Sequence, residues 1–148
     1  MIWTPRTTVA AVIEREGRFL MVEEETSAGI VLNQPAGHLD EGEGLIAAVL
    51  RETLEETAHP FEPAGLVGVY RWQAPPAGLT YVRFCFHGQC GEAIPGRALD
   101  PDIRRILWIS YEELAADPRR LRSPMVLRCI EDYRNGRSYP LELLVEVP

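Results

Sequence analysis

Cysteine is scarce in this 148-residue chain. Cys85, Cys90 and Cys129 are an odd set, spaced neither as a C-x-x-C zinc half-site nor as a disulfide framework, and they read as buried thiols. Long apolar runs are missing too. No stretch approaches the roughly 20 residues that a membrane-spanning helix needs. Met1-Ile-Trp-Thr-Pro-Arg-Thr-Thr8 also lacks the basic region, apolar run and small-residue cleavage site of a secretory signal. No membrane partner is therefore expected, and the cytoplasm is the expected compartment. Positive charge is in short supply as well: 15 Lys plus Arg face 22 Asp plus Glu, a net charge of -7 with no basic run. That balance argues against a stable nucleic-acid partner, which would need many phosphates neutralised. A small phosphorylated substrate remains compatible, provided cations bridge its charge to the protein's carboxylates.

Internal repeats, low-complexity segments and linkers are absent, and 46% hydrophobic with 25% charged residues is ordinary for a globular protein. Residues 1–148 are thus expected to form one domain, acting as a monomer or homodimer, with a core that needs no disulfides. Thr8–Ile13 and Arg18–Val22 read as a hairpin about Arg15-Glu-Gly17. A loop with Gly29, Asn33, Pro35 and Gly37 leads to a helix over Leu45–Ala58, ended by Pro60 and Pro63. Gly65–Trp72 and Leu79–Gly88 read as a second hairpin joined by Ala74-Pro-Pro-Ala-Gly78. Glu92–Pro101 reads as a loop and Arg105–Ile109 as a strand. Ser110 and Glu113 form a capping box for a short helix stopped by Pro118. Another helix follows Ser123-Pro124 and runs to Asn135-Gly136, and Leu141–Val147 is a final strand or an extended arm. This order of hairpins and helices predicts an α+β or mixed α/β fold.

The most informative segment joins Gly37-His-Leu-Asp-Glu-Gly-Glu43 to Arg51-Glu52-Thr-Leu-Glu55-Glu56. At about 100° per residue, Ile46, Ala47, Leu50, Leu54, Thr57 and Ala58 are expected on the packing side and Glu52, Glu55 and Glu56 on the opposite arc. Glu52 and Glu56 lie one turn apart with Glu55 beside them, so a divalent ion can sit between them. Clustered carboxylates repel one another unless a hard cation supplies the compensating charge, and Mg2+ is the expected one. Gly37 can turn a backbone carbonyl toward the same point, while Arg51 can fix a carboxylate through a bidentate pair. The plainer alternative is a solvated helix face crossed by common Arg–Glu pairs.

Together Gly37, Glu43, Arg51, Glu52, Glu55 and Glu56 resemble the Nudix box, G-x5-E-x7-R-E-U-x-E-E-x-G-U, with U a bulky apolar residue. Three positions depart from it: Thr53 and His59 replace apolar residues, and Ala58 replaces the later glycine, so the helix is expected to terminate by another route. The resemblance implies an α/β/α sandwich with a mixed central sheet that binds Mg2+ or Mn2+ and hydrolyses phosphoanhydride bonds. It also implies that Glu52, Glu55 and Glu56 are metal ligands or base, with Glu43 orienting them. An acid outside the box is implied as a further ligand; Asp100 and Asp102 are the candidates, set against simple turn formation beside Pro101.

Asn33-Gln-Pro-Ala-Gly-His38, Leu121-Arg-Ser-Pro124 and Tyr139-Pro-Leu-Glu142 further resemble small bacterial Nudix phosphatases. That resemblance implies release of orthophosphate from nucleoside tri- and diphosphates and from hydroxymethylpyrimidine pyrophosphate. On this reading Arg122 contacts phosphate, Trp72 or Tyr70 stacks on a base and His38 approaches the site, though each residue type is also common in structural roles. The alternatives are a pyrophosphohydrolase of ADP-ribose, nucleotide sugars or dinucleoside polyphosphates, a noncatalytic nucleotide-binding domain, and an RNA 5′-end pyrophosphohydrolase, the last disfavoured by charge.

Overall fold

Burial on both faces explains the central strands. In β1 (Arg6–Val12) and the residue after it, Val9, Ala11 and Ile13 point to one side and Ala10 and Val12 to the other, all essentially buried. A strand covered on both faces must be apolar throughout, so this segment reads as an unbroken hydrophobic run. The computed structural model describes residues 1–76 and 78–148, and among them two sheets form.

The first sheet has the order β5-β1-β7-β6, with β5 at Ala36–His38, β6 at Phe61–Ala74 and β7 at Leu79–Cys90. β1 runs parallel to β7, and the other pairs are antiparallel. In the second sheet β3 (Arg18–Thr26) pairs antiparallel with β2 (Glu14–Arg15), β4 (Gly29–Asn33) and β8 (Ile103–Ser110). The helix α1 (Leu45–Thr57) covers the side bearing Val9, Ala11, Leu20 and Phe86, through Ala48 and Val49. On the other side α2 (Tyr111–Ala116) and α3 (Pro124–Arg134) cover Ala10, Phe19, Met21 and Cys85. The expected α/β/α sandwich with a mixed sheet is therefore present. No helix among the described residues is long and apolar enough to cross a membrane.

The β6–β7 hairpin forms as expected, with Trp72 opposite Tyr81; its connection includes Ala77, which lies outside the described residues. The segment before the acidic helix corrects the loop expectation. Gly29–Asn33 pairs with β3 as a local hairpin and Ala36–His38 with the distant β1, so a composition typical of loops is drawn into sheet. Ser110 caps α2 by accepting from the Glu113 N–H, but the Glu113 carboxylate accepts from the Ser110 hydroxyl, which replaces the return bond of a capping box. The tail is an arm. Tyr139 exchanges backbone hydrogen bonds with Leu66 at 2.8 Å, after which Leu141 and Leu144 pack on the α1-side core. Cys85 and Cys129 are fully buried, whereas Cys90 is half-buried and its Sγ accepts from Arg15.

The helix that carries the carboxylates is rotated from the expected orientation. Its buried residues are Ala48, Val49, Thr53, Glu56 and Thr57, while Leu50 is exposed. Apolar spacing misled here because the acidic arc also turns partly toward the protein. At the helix end Ala58 adopts the left-handed conformation, φ 59° and ψ 15°, and its N–H donates to Leu54 at 2.9 Å. The termination is thus of the glycine type without the glycine, correcting the expectation of another route.

Candidate metal centre

Helix ends leave carbonyls without intrahelical partners, and the loop after β7 satisfies those of α1. Ile94 donates to the Ala58 carbonyl at 2.9 Å and Asp100 to the Glu55 carbonyl at 3.0 Å. The second bond brings the Asp100 carboxylate to the acidic helix. Glu52, Glu55 and Asp100 each present one oxygen, and these three oxygens lie within 4.8 Å of one another. Asp100 is the outside acid that joins the cluster. Asp102 lines a cavity with Glu24, Glu25, Thr26, Ser27 and Arg122, which corrects its assignment beside the box glutamates.

Arg51 binds the cluster together. Its Nε and Nη2 donate to the two Glu43 oxygens at 2.7 and 2.9 Å, and its Nη1 donates to Glu52 at 2.8 Å and Glu55 at 3.2 Å. Nη2 also donates to the His38 carbonyl at 3.0 Å, tying the helix to the turn before it. The side-chain hydrogen bond from Arg51 is the main reason that the Glu43 carboxyl is held below its usual pKa. Gly37 permits the arrangement sterically: a Cβ built there would overlap the Glu52 carboxylate.

Glu56 lies deeper. It is 7% exposed, and its Oε1 accepts from the Ala36 N–H at 2.9 Å. Burial pushes its pKa up to about 9, with the charges of Glu52, Glu24 and Asp100 adding to the rise against the Ala36 hydrogen bond. Burial likewise raises Glu52, opposed by Arg51. Carboxylates that resist ionising together in an all-oxygen cluster match the demand of a hard divalent cation, so the residues present fit such an ion.

The expected substrate contacts divide. Arg122 donates to Glu24 at 2.9 Å and lines both the Asp102 cavity and a cleft containing Trp72. The exposed His38 has a pKa lowered first by partial burial and then by the charges of Arg6 and Arg122, which places it in a basic setting. Trp72 lines the cleft and stacks on Tyr81. Tyr70 is committed elsewhere: it packs on the core and its hydroxyl donates to Asp132 of α3 at 2.8 Å, correcting its assignment as a base-stacking residue. Sequence reasoning missed Glu24, 9% exposed and bonded to both Arg122 and Asn33. The available signal was three consecutive glutamates, Glu23–Glu25, in a strand, where acidic residues are depleted.

A NUDIX domain model matches residues 4–128. The protein described as "Phosphatase NudJ" in Escherichia coli K12 is 38% identical over 143 residues, spanning 97% of this chain and 92% of the relative. A structure described as a NUDIX hydrolase from Nitrosomonas europaea superposes with a TM-score of 0.94 at 48% identity, covering 97% of this chain and 98% of that one. A MutT NUDIX hydrolase from Burkholderia pseudomallei shares the fold, with a TM-score of 0.71 at 23% identity and coverage of 88% and 98%.

Proposed function

We propose, from the premise that the chain belongs to the NUDIX family and is a hydrolase of phosphoanhydride bonds, that it uses Mg2+, or Mn2+ in its place, to release orthophosphate from nucleoside tri- and diphosphates. Hydroxymethylpyrimidine pyrophosphate is a further substrate on this reading. The observation that carries it is the convergence of Glu52, Glu55 and Asp100 oxygens on one point, with Arg51 donating to both glutamates. The likeness to a protein named as a phosphatase supports orthophosphate as the product.

Glu52, Glu55 and Asp100 would hold the cation, whose chemistry is to acidify a bound water and neutralise charge developing on phosphate. Arg51 fixes the rotamers of Glu52 and Glu55 by donating to both, and Glu43 in turn fixes Arg51 through the bidentate pair. Glu56, buried one turn from Glu52 and accepting from the Ala36 N–H, would serve as a further ligand of the cation or as the base. Arg122 receives phosphate oxygens when it leaves Glu24. The protein acts in the cytoplasm, as a monomer or homodimer, on a small phosphorylated substrate.

The test is Mg2+-dependent phosphate release from GTP, GDP, ATP, hydroxymethylpyrimidine pyrophosphate and ADP-ribose, assayed before and after adding inorganic pyrophosphatase. Orthophosphate appearing without pyrophosphatase is the expected result. Pyrophosphate from the triphosphates, or AMP from ADP-ribose, would replace this reading with a pyrophosphohydrolase.

A further inference from the structure

Glu24 is a buried acid that the metal centre does not use. It is 9% exposed, and the register of β3 against β8 shifts between Glu23 and Glu24, a bulge of the kind that re-aims a side chain beside a site. Its Oε1 accepts from Arg122 at 2.9 Å and from Asn33 Nδ2 at 3.3 Å, while its Oε2 has no partner among the described residues. A carboxylate can only accept, so the Asn33 amide must turn its nitrogen toward Glu24. Asn33 Oδ1 is then left buried, with no donor among the described residues, in a side chain that is itself 7% exposed. Two oxygens at this point lack donors, and an acceptor left unpaired on burial is costly.

The cavity that Glu24 lines has the same imbalance. Its volume is about 520 Å³, and its walls are Glu24, Glu25, Thr26, Ser27, Asp102 and Arg122, three carboxylates against one guanidinium. That size admits a heterocycle. Such a surplus of acceptors repels phosphate from the interior and suits a group that donates, leaving Arg122 as the one wall residue that can take a phosphate oxygen. The cavity stands beside the metal centre. At one end of residues 100–102 the Asp100 N–H donates to the Glu55 carbonyl at 3.0 Å, and at the other the Asp102 carbonyl accepts from the Glu25 N–H at 2.9 Å. Two residues span at most about 7 Å. The charge of Glu24 also acts on Glu56, one turn from Glu52.

We propose that Glu24, held by Asn33, is a specificity-determining residue that accepts from the exocyclic amine of a 4-aminopyrimidine edge, the edge shared by hydroxymethylpyrimidine, cytosine and adenine. The proposal rests on the phosphohydrolase reading and names the part of the substrate that this cavity reads. An exchange of partners keeps Glu24 satisfied: as Arg122 turns to phosphate, the amine supplies a donor in its place. A carboxylate accepting from the cytosine amine is a standard pairing. A carbonyl at the same ring position, as in uracil or hypoxanthine, sets one acceptor against another.

The test compares the intact protein with E24Q and E24D on two pairs that differ by amine against carbonyl, CTP with UTP and ATP with ITP, and on inorganic tripolyphosphate, which lacks a base. Titration with cytidine and uridine in EDTA is added, so that the base is read without metal, phosphate or turnover. The wild type is expected to favour CTP over UTP and ATP over ITP in kcat/KM, and to bind cytidine more tightly than uridine. An amide can present a donor or an acceptor, so E24Q is expected to shrink both ratios by roughly 10-fold and to lose correspondingly more on CTP and ATP than on tripolyphosphate. E24D, which keeps the acceptor but withdraws it by one methylene, is expected to fall between. Equal losses on nucleotides and tripolyphosphate would overturn the proposal, since a phosphate contact, a metal contact or a damaged fold predicts them; so would ratios that E24Q leaves unchanged, or a wild type without the preference. If the wild type hydrolyses no nucleotide, the functional reading fails separately, and the nucleoside titration still decides whether Glu24 reads the amine.

Discussion

Arg51 forks onto Glu43 through two nitrogens, at 2.7 and 2.9 Å, and the remaining nitrogen spans Glu52 and Glu55. One planar side chain therefore sets the positions of three carboxylates, a task that a single ammonium cannot perform. Arg51→Lys is expected to lower kcat/KM by about 10- to 100-fold, the usual cost of losing a group that orients metal ligands. The far-ultraviolet circular dichroism should stay unchanged, and a variant with full activity would remove Arg51 from any orienting role.

Gly37→Ala tests the steric relation. Because an added Cβ would overlap the Glu52 carboxylate, this ligand must move, and Mn2+ affinity measured by electron paramagnetic resonance is expected to fall by at least about 10-fold. Retained affinity would mean that Glu52 has room to shift without leaving the site.

Asp100 and Asp102 are separated by the same measurement. Asp100→Asn is expected to weaken Mn2+ binding, whereas Asp102→Asn should leave it within about twofold, since only Asp100 shares the cluster with Glu52 and Glu55. The reverse ranking would refute the placement of the loop.

Glu56 makes the metal-free protein sensitive to alkali. Its folded pKa of about 9 exceeds the ordinary 4.5 because burial disfavours the charge, so the folded state binds its proton more tightly than the unfolded state. The resulting stabilisation is fully present below about pH 4.5 and is lost as pH rises through about 9. Urea unfolding in EDTA should therefore show stability falling across that window, and Glu56→Gln should flatten the fall. The same variant is expected to abolish Mg2+-dependent turnover while remaining folded.

Thr53→Val should stabilise the protein. The Thr53 hydroxyl is fully buried without a hydrogen-bond partner among the described residues, and replacing it with a methyl of similar size removes a desolvation cost of about 1 kcal/mol. Urea denaturation at constant m-value checks this, and a destabilised variant would point to an unrecognised partner for Oγ1.

The acidic motif was legible in the sequence because a helix is local: residues three and four apart share a face wherever the helix forms. The orientation of that helix was not legible. Leu50 faces solvent and Glu56 the interior, because the environment supplied by the Ala36 N–H and the Asp100 loop outranks the apolar spacing of the helix itself. The strands at Gly29–Asn33 and Ala36–His38 escaped because Gly29, Asn33 and Gly37, with Pro35 between the strands, are typical of loops, and for Ala36–His38 the pairing partner β1 lies far away in the chain.

By itself the sequence determined a mixed α/β fold, the family motif and the carboxylates Glu52, Glu55 and Glu56, since each depends on fixed local spacing. Tertiary structure alone decided that Asp100 and not Asp102 joins Glu52 and Glu55, that Tyr70 serves the core, and that Arg83 is buried with no carboxylate partner among the described residues. Those outcomes depend on which distant backbone groups meet: Asp100 reaches Glu52 and Glu55 because its N–H bonds to the orphan Glu55 carbonyl at the end of α1.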